Sequence, residues 1–396
     1  MTTMTTPAPG SWSIQGRGVR TGLWALWIGL FILGAIGVYL RFTQGHLPAG
    51  YGSYVPWGLW VALYFHGVGI AGGAFVLGAG GYILDLPGFR SRRALRTVIV
   101  LSVAAIIPAF MGVWLDLGHM ERAHRIFTSP AFTSMMAFNA WMYNIFTLCA
   151  VVAWLLSFRD DREWLKPVLF LALVFSVLFP SQSGAFFGVV DAKAYWHSAL
   201  LPMVFLTSAI TAGAATLLLV RMLTRADESA EEHEAAVRRL RLITIVGLCV
   251  YFVFEFAEFS IALWNPISDA PAVELVLWGP YWWVFWIVHL AIGGVVSLIL
   301  LASRRPRLWA AGALLVAITF VSARLNVLIP GQAVAEIQGL QEAFSHERLR
   351  YIYRATPMEY LVGLFLLAVG MAVFYIGRKI NRAVETRSAT NTRGAA

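Results

Sequence analysis

The sequence predicts an all-α integral membrane protein of ten transmembrane helices, and three observations predict it. Of the 396 residues, 59% are hydrophobic and only 13% charged. Apolar runs of about 20 residues recur along the chain, each long enough to span a bilayer as a helix. The runs are continuous rather than alternating, which excludes the strands of a membrane barrel. The formal charge of +9 is no nucleic-acid signal, because the basic residues sit in short loops between spans. The two cysteines, Cys149 and Cys249, fall inside spans and form no C-x-x-C, so neither a disulfide framework nor a metal cluster is implied.

Taken in order, residues 1–20 are a polar cytoplasmic tail without a small-residue cleavage signal, so the first span reads as an uncleaved anchor. The spans are Thr21–Leu40, Trp57–Leu84, Ala94–Leu115, Phe132–Phe158, Trp164–Pro180, Trp196–Leu223, Leu240–Trp264, Trp278–Ala302, Trp309–Pro330 and Pro357–Ile380, with Trp and Tyr crowding their ends. With both termini cytoplasmic, the inner segments and adjoining span ends hold 22 of the 30 Lys and Arg and the outer loops 7, Arg324 being the last. That asymmetry predicts N-in, C-in. The connection Thr224–Arg241 is a solvated charge run that extends a helix, and residues 382–396 read as a disordered tail. The outer segment 331–356 reads as an amphipathic surface helix, with Ile337, Leu340 and Phe344 at helical spacing.

An internal repeat appears at an offset of 140 residues. Phe65, Ile70, Gly73 and Ala74 of span two match Phe205, Ile210, Gly213 and Ala214 of span six. Asp116 maps between Glu255 and Glu258, and Trp141–Tyr143 onto Tyr281–Trp283. Four spans preserve direction, so the repeat is parallel. It predicts two four-helix bundles, residues 57–195 and 196–330, flanked by a first helix with its loop (21–56) and a last helix (357–381).

The polar residues inside the spans gather toward the outer side. Tyr64 and His66 lie ~10–14 Å below the outer end of span two, and Arg324 about 9 Å below Pro330. Asp116 and His119 stand at the exit of span three, Gln182 at the exit of span five, His197 at the start of span six, and Asn326 close to Arg324. Glu255, Glu258, His289 and Glu359 follow in the outer halves of their spans. A guanidinium at that depth costs roughly 2.5–3.5 kcal/mol and needs a polar partner or a polar guest. Ordinary readings exist for each residue alone: snorkelling for Arg324, a satisfied core imidazole for His66 or His289, a loop cap for Asp116 and His119. Snorkelling, however, would populate both membrane surfaces, and the inner halves are almost free of ionisable groups.

Such a pocket suits a quinone, whose carbonyls need hydrogen bonds and whose reduced form must shed protons to nearby bases. Tyr64, His66, Asp116, His119, Gln182, His197, Arg324 and Asn326 are the expected quinone residues; Glu255, Glu258, His289 and Glu359 are the expected proton route. There is no dinucleotide fingerprint, P-loop or cluster cysteine, so electrons must pass to another subunit on the outer side.

Several stretches carry a resemblance. Pro56-Trp-Gly-Leu-Trp-Val-Ala-Leu-Tyr-Phe-His-Gly-Val-Gly-Ile-Ala-Gly-Gly73 resembles the first conserved helix of the NrfD/PsrC-type membrane subunits. Leu115-Asp-Leu-Gly118, Ser183-Gly184, Trp196–Pro202 and Arg324–Gln332 are similar to further motifs of that family, and ten spans resemble its hydrogenase-type branch. The resemblance implies a prokaryotic inner-membrane subunit with a haem-free site for menaquinone or ubiquinone and no iron–sulfur cluster of its own. It implies two partners: a four-cluster ferredoxin-like iron–sulfur subunit and an extracytoplasmic molybdopterin or hydrogenase-type catalytic subunit. Tyr64 stands where some relatives have a quinone-contacting His, and Gln182 where some have Tyr or His. Alternatives are a haem b cytochrome subunit using His66 and His289, a transporter with discontinuous helices, and an anchor without quinone chemistry.

Overall fold

Because lipid offers no partner to backbone groups, an apolar run has to close its own hydrogen bonds as a helix. The computed structural model describes residues 17–159, 163–224, 229–264, 270–337, 339–346 and 348–394. Among them are ten helices long and apolar enough to cross a membrane. They are α1 (Arg17–Gln44), α2 (Leu59–Ile83), α3 (Arg92–Asp116), α4 (Met135–Leu156), α5 (Leu165–Gly188), α6 (Leu201–Leu223), α7 (Ala230–Trp264), α8 (Val284–Ala302), α9 (Pro306–Ala333) and α10 (Pro357–Gly394). Below, the upper end of the molecule is the one at which α2 begins and α3 ends.

The helices are not equally buried. α2, α6 and α9 form the centre, whereas α1 and α10 pair with each other at the periphery. α2 packs on α3 and α5, and α6 packs on α7 and α9; α4 pairs with α5, and α8 with α9. The two sets meet where α2 crosses α6. A Cβ at Gly73 would lie 2.0 Å from the Ala209 carbonyl oxygen, and one at Gly213 would lie 2.3 Å from the Ala74 nitrogen. Small residues are what let two helix backbones touch in this way.

Several helix boundaries differ from the sequence expectation for identifiable reasons. α5 runs through Pro180 to Gly188, and Gly72 of α2 sits against the Ser176 carbonyl that Pro180 leaves without its N–H partner. α9 runs through Pro330 to Ala333; the freed Asn326 carbonyl accepts from the Tyr195 hydroxyl at 2.9 Å. α9 is also interrupted at Phe320, midway along its length, and α8 is π-helical over Val284–Val296. Segment 331–356 is not one amphipathic helix: among the described residues beyond the end of α9 only Leu340–Ala343 is helical, Gly339 precedes it with φ +83°, and Ile337 and Phe344 are both exposed. The segment expected to be a disordered tail continues α10 to Gly394, fastened by Glu385 to Arg96 at 2.6 Å and to Arg93 at 3.3 Å, and by Trp154 to Asn381.

The crossing yields a test. Gly213→Ala is expected to cost about 1–3 kcal/mol by overpacking, seen as a lower thermal-aggregation midpoint in detergent. Gly80→Ala, whose nearest neighbour is 3.7 Å away, should leave the midpoint unchanged.

Candidate functional site

Arg324 is the residue around which the polar groups are placed. Because α9 continues past Pro330 to Ala333, Arg324 stands ~14 Å below the helix end, deeper than the sequence suggested. The side chain is 4% exposed, lies 4.1 Å over the Phe205 ring, and donates to the Phe205 carbonyl at 3.2 Å. It also abuts Gly69, where a Cβ would come within 3.1 Å of the guanidinium. Among the described residues no carboxylate pairs with it; the phenols of Tyr251 and Tyr143 lie in its electrostatic surroundings.

Those two phenols belong to separate polar clusters, one in each set of helices. In the first, Asn139 donates to the Tyr143 hydroxyl at 2.7 Å and to Ser183 Oγ at 3.1 Å, and Tyr143 meets Ser183 at 2.7 Å. Ser183 spends its own proton on the Phe179 carbonyl, so Tyr143 is the donor to it. Tyr64 stands edge-on to Tyr143, with 6.0 Å between ring centroids. Asn139 Oδ1 is buried without a hydrogen-bond partner.

The second cluster centres on His289. His289, brought inward by the π-helical turn of α8, places Nε2 3.1 Å from both carboxylate oxygens of Glu255 and Nδ1 2.9 Å from Ser322 Oγ. Ser322 donates to the Thr319 carbonyl beside the break in α9. Its oxygen therefore accepts from His289, which fixes Nδ1 as an N–H. Tyr251 donates to Glu255 Oε1 at 2.8 Å. Glu255 and His289 thus hold one proton between them. Since both ring nitrogens of His289 are engaged, ligating a haem iron there would require breaking this pair.

The other expected residues fall into three places. His66 is buried beside Arg324 and donates from Nε2 to the Ala317 carbonyl at 2.7 Å. Asn326 is buried, with Nδ2 unpartnered. Gln182 points at the start of α4, 3.3 Å from Met135 Sδ, so its neighbour Ser183 is the α5 residue in the cluster. His119 and His197 do not join the site: both are exposed and pair with Glu121 and Asp191 on the surface. Glu258, one turn above Glu255, accepts from Ser198 rather than entering the Glu255–His289 pair.

Asp116 and Glu359 lie at the upper end in a network of their own. Glu359 is fully buried and accepts from the Gly50, Thr356 and Tyr353 donors. Its bond from the Thr356 N–H, three residues earlier, is the glutamate half of a capping box at the start of α10, and these partners place it in the upper network rather than with Glu255 and His289. Asp116 Oδ1 is buried without a partner. Nearby, Arg41 of α1 caps α3 by donating to the Leu115 and Leu117 carbonyls, and reaches His46 Nε2 at 2.8 Å; His46 Nδ1 meets Tyr51 at 2.6 Å.

The comparisons with known proteins can be set beside this geometry. The family model described as "Polysulphide reductase, NrfD" matches residues 49–336. The chain belongs to the NrfD family. Members similar to it include the "Hdr-like menaquinol oxidoreductase integral membrane subunit" of Archaeoglobus fulgidus, 26% identical over 95% of this chain and 96% of that one. A selenate reductase subunit from Mesobacillus selenatarsenatis is 23% identical over 87% of this chain and 90% of its own. "Protein NrfD" of Escherichia coli K12 is 23% identical over 62% of this chain and 83% of its own. The NrfD model ends at Glu336, so it takes in α2 to α9 and both polar clusters while leaving α10 and α1 outside.

Of the clustered residues, Asn139, Tyr143, Ser183, Tyr251 and Ser322 were not among the site residues expected from the sequence. Tyr251 had a signal, standing four residues before Glu255 on the same helix face. Ser322 had none, because its role depends on the break in α9.

The upper network makes a pH prediction. Burial and then the neighbouring Arg41 charge lower the His46 pKa from its ordinary 6.5. A freed His46 therefore binds protons more readily than the packed one, so its contribution is complete above about pH 6.5 and is lost as pH falls below that value. Hydrogen exchange of residues 45–52, corrected for intrinsic rates, should lose protection on that acid side in the native chain and lose the pH dependence in His46→Gln.

Proposed function

We propose that this chain is the quinone-reactive membrane subunit of an oxidoreductase complex, with its upper end facing away from the cytosol. The carrying observation is Arg324: a deeply buried guanidinium with no carboxylate among the described residues, set between two hydrogen-bonded clusters in a family with a menaquinol oxidoreductase member. Its remaining donors, together with the orphaned Asn326 Nδ2 and Asn139 Oδ1, are the complement a quinone headgroup needs, donors toward a carbonyl and an acceptor toward a hydroxyl. The donor set therefore fits the group. A quinone bound here supplies two-electron, two-proton redox chemistry.

The chain's own part is to bind, orient and move protons. Arg324 and Asn326 hold an acceptor oxygen. The Tyr143–Ser183 pair orients Asn139 and, with Tyr64 beside it, offers hydroxyls as relays. Glu255 and His289 hold a proton that either can surrender, with Tyr251 steadying the carboxylate and Ser322 the imidazole. His66 stays fixed by Ala317 and supports the α2 wall. Electrons leave upward to an iron–sulfur partner, which serves a molybdopterin or hydrogenase-type catalytic subunit. The Lys and Arg asymmetry between loops supports this sidedness.

A second reading rests on the break in α9. Interrupted helices near mid-membrane also build substrate-transport sites. Solute uptake by proteoliposomes without any quinone dependence would favour that reading.

Two predictions separate the roles. In the intact complex, Arg324→Ala and Tyr64→Phe are expected to lower quinol-linked turnover, Arg324→Ala by about 10²-fold, the scale for losing one directed donor. His119→Ala and His197→Ala should retain turnover. Glu255→Gln is expected to keep quinone binding, measured by quenching of tryptophan fluorescence, while slowing turnover and flattening its pH profile. A variant with an unchanged pH profile would remove Glu255 from the proton route.

A further inference from the structure

The chain returns from α9 to α10 across the upper face through turns and bends rather than a regular element. From Arg348 to Arg354 exposure alternates: Leu349, Tyr351 and Tyr353 are partly or fully buried, while Arg348, Arg350, Ile352 and Arg354 are exposed. The backbone beneath is fixed. Ser53 N–H donates to the Arg348 carbonyl at 3.0 Å, Tyr353 N–H to the Tyr281 hydroxyl at 2.9 Å, and Leu59 N–H to the Tyr353 hydroxyl at 2.8 Å. Gly50 and Gly52 leave no space between the neighbouring loop and this run, since a Cβ there would lie 1.9 Å from the Arg354 oxygen and 2.3 Å from the Arg348 oxygen.

Three exposed guanidiniums thus project from one hydrogen-bonded segment, and among the described residues no carboxylate forms an ion pair with any of them. Two cavities flank the run at Tyr351. One, of about 340 Å³, has Trp57, Trp196, Lys193 and Glu336 in its wall; the other, of about 640 Å³, has Glu274, Trp278, Tyr281 and Ile352. Exposed Ile337, Phe344 and Ile352 add apolar surface.

We infer that this strip is the docking surface for the acidic face of a water-exposed protein partner; the inference rests on the reading above and assigns that partner a place. Uncompensated like charges on a fixed backbone repel each other until an opposing set covers them, and they steer an acidic partner to the surface. Position favours a protein over a lipid headgroup. The run lies over the first turn of α2, one of the three central helices, rather than over the lipid-facing rim. Tyr351 and Trp196 also place it above the aromatic column Trp196–Phe187–Phe205, with ring centroids 5.0 and 5.6 Å apart, that ends at Arg324.

The test uses the tagged chain isolated in mild detergent from cells producing the whole complex. Arg348→Glu/Arg350→Glu/Arg354→Glu, and the milder Arg→Gln triple variant, are compared with native protein for co-isolated subunits, bound anionic lipid by mass spectrometry, and quenching by a water-soluble naphthoquinone. A photo-crosslinker at Ile352 identifies the contacting peptide. The inference expects partner yield to fall on the order of tenfold on charge reversal, to fall in native protein as salt rises, and the crosslinked peptide to be rich in Asp and Glu. Unchanged partner yield in both variants overturns it, as does loss of bound lipid without loss of partner. Naphthoquinone quenching is read independently: its absence, with partner loss still seen on charge reversal, removes the quinone reading and leaves the docking surface standing.

Discussion

Everything in the centre of this molecule follows from burying one positive charge without giving it a negative one. Arg324 sits where α2 and α6 touch, stacked on Phe205 and bonded to its carbonyl. Insertion of a cation costs roughly 2.5–3.5 kcal/mol, a sum that a buried cation–π contact and a hydrogen bond from a charged donor can offset. A carboxylate in the same place would satisfy the charge and close the site.

Small residues make this burial possible. Gly69, Gly73 and Gly213 bring α2, α6 and α9 close enough for a side chain from α9 to reach across both. The break at Phe320 does the rest, turning Ser322 toward His289. The π-helical stretch of α8 carries His289 to meet it. Irregular backbone at membrane depth is tolerated where protein rather than lipid surrounds it, and His66 donating to the Ala317 carbonyl is one way this chain meets that condition.

Much of this was legible in the sequence. Continuous apolar runs located all ten spans, and the 140-residue offset matched Gly73 with Gly213, which do lie against each other. Arg324, His66, Glu255 and His289 were visible as polar residues in apolar surroundings. What was not legible has a common cause: it depends on backbone geometry that residue type does not encode. Helical spacing of Ile337 and Phe344 gave no hint that Gly339 would take a left-handed conformation. Thr356 and Glu359 spell a capping box, yet a buried glutamate in an outer half-span reads equally as a proton carrier until Gly50 and Tyr353 are seen bonded to it. Gln182 and Ser183 differ by one position, and only the rotation of α5 beyond Pro180 chooses between them.

The Glu255–His289 pair has a consequence of its own. Whether the shared hydrogen resides on oxygen or on nitrogen, the two groups together sum to zero, either as acid and imidazole or as carboxylate and imidazolium. A short hop of that hydrogen therefore creates or erases a pair of opposite charges across α7 and α8 without altering the net electrostatic load of the membrane interior. Such a switch changes the field felt at neighbouring groups while the net charge stays constant, and it resets as soon as the hydrogen returns.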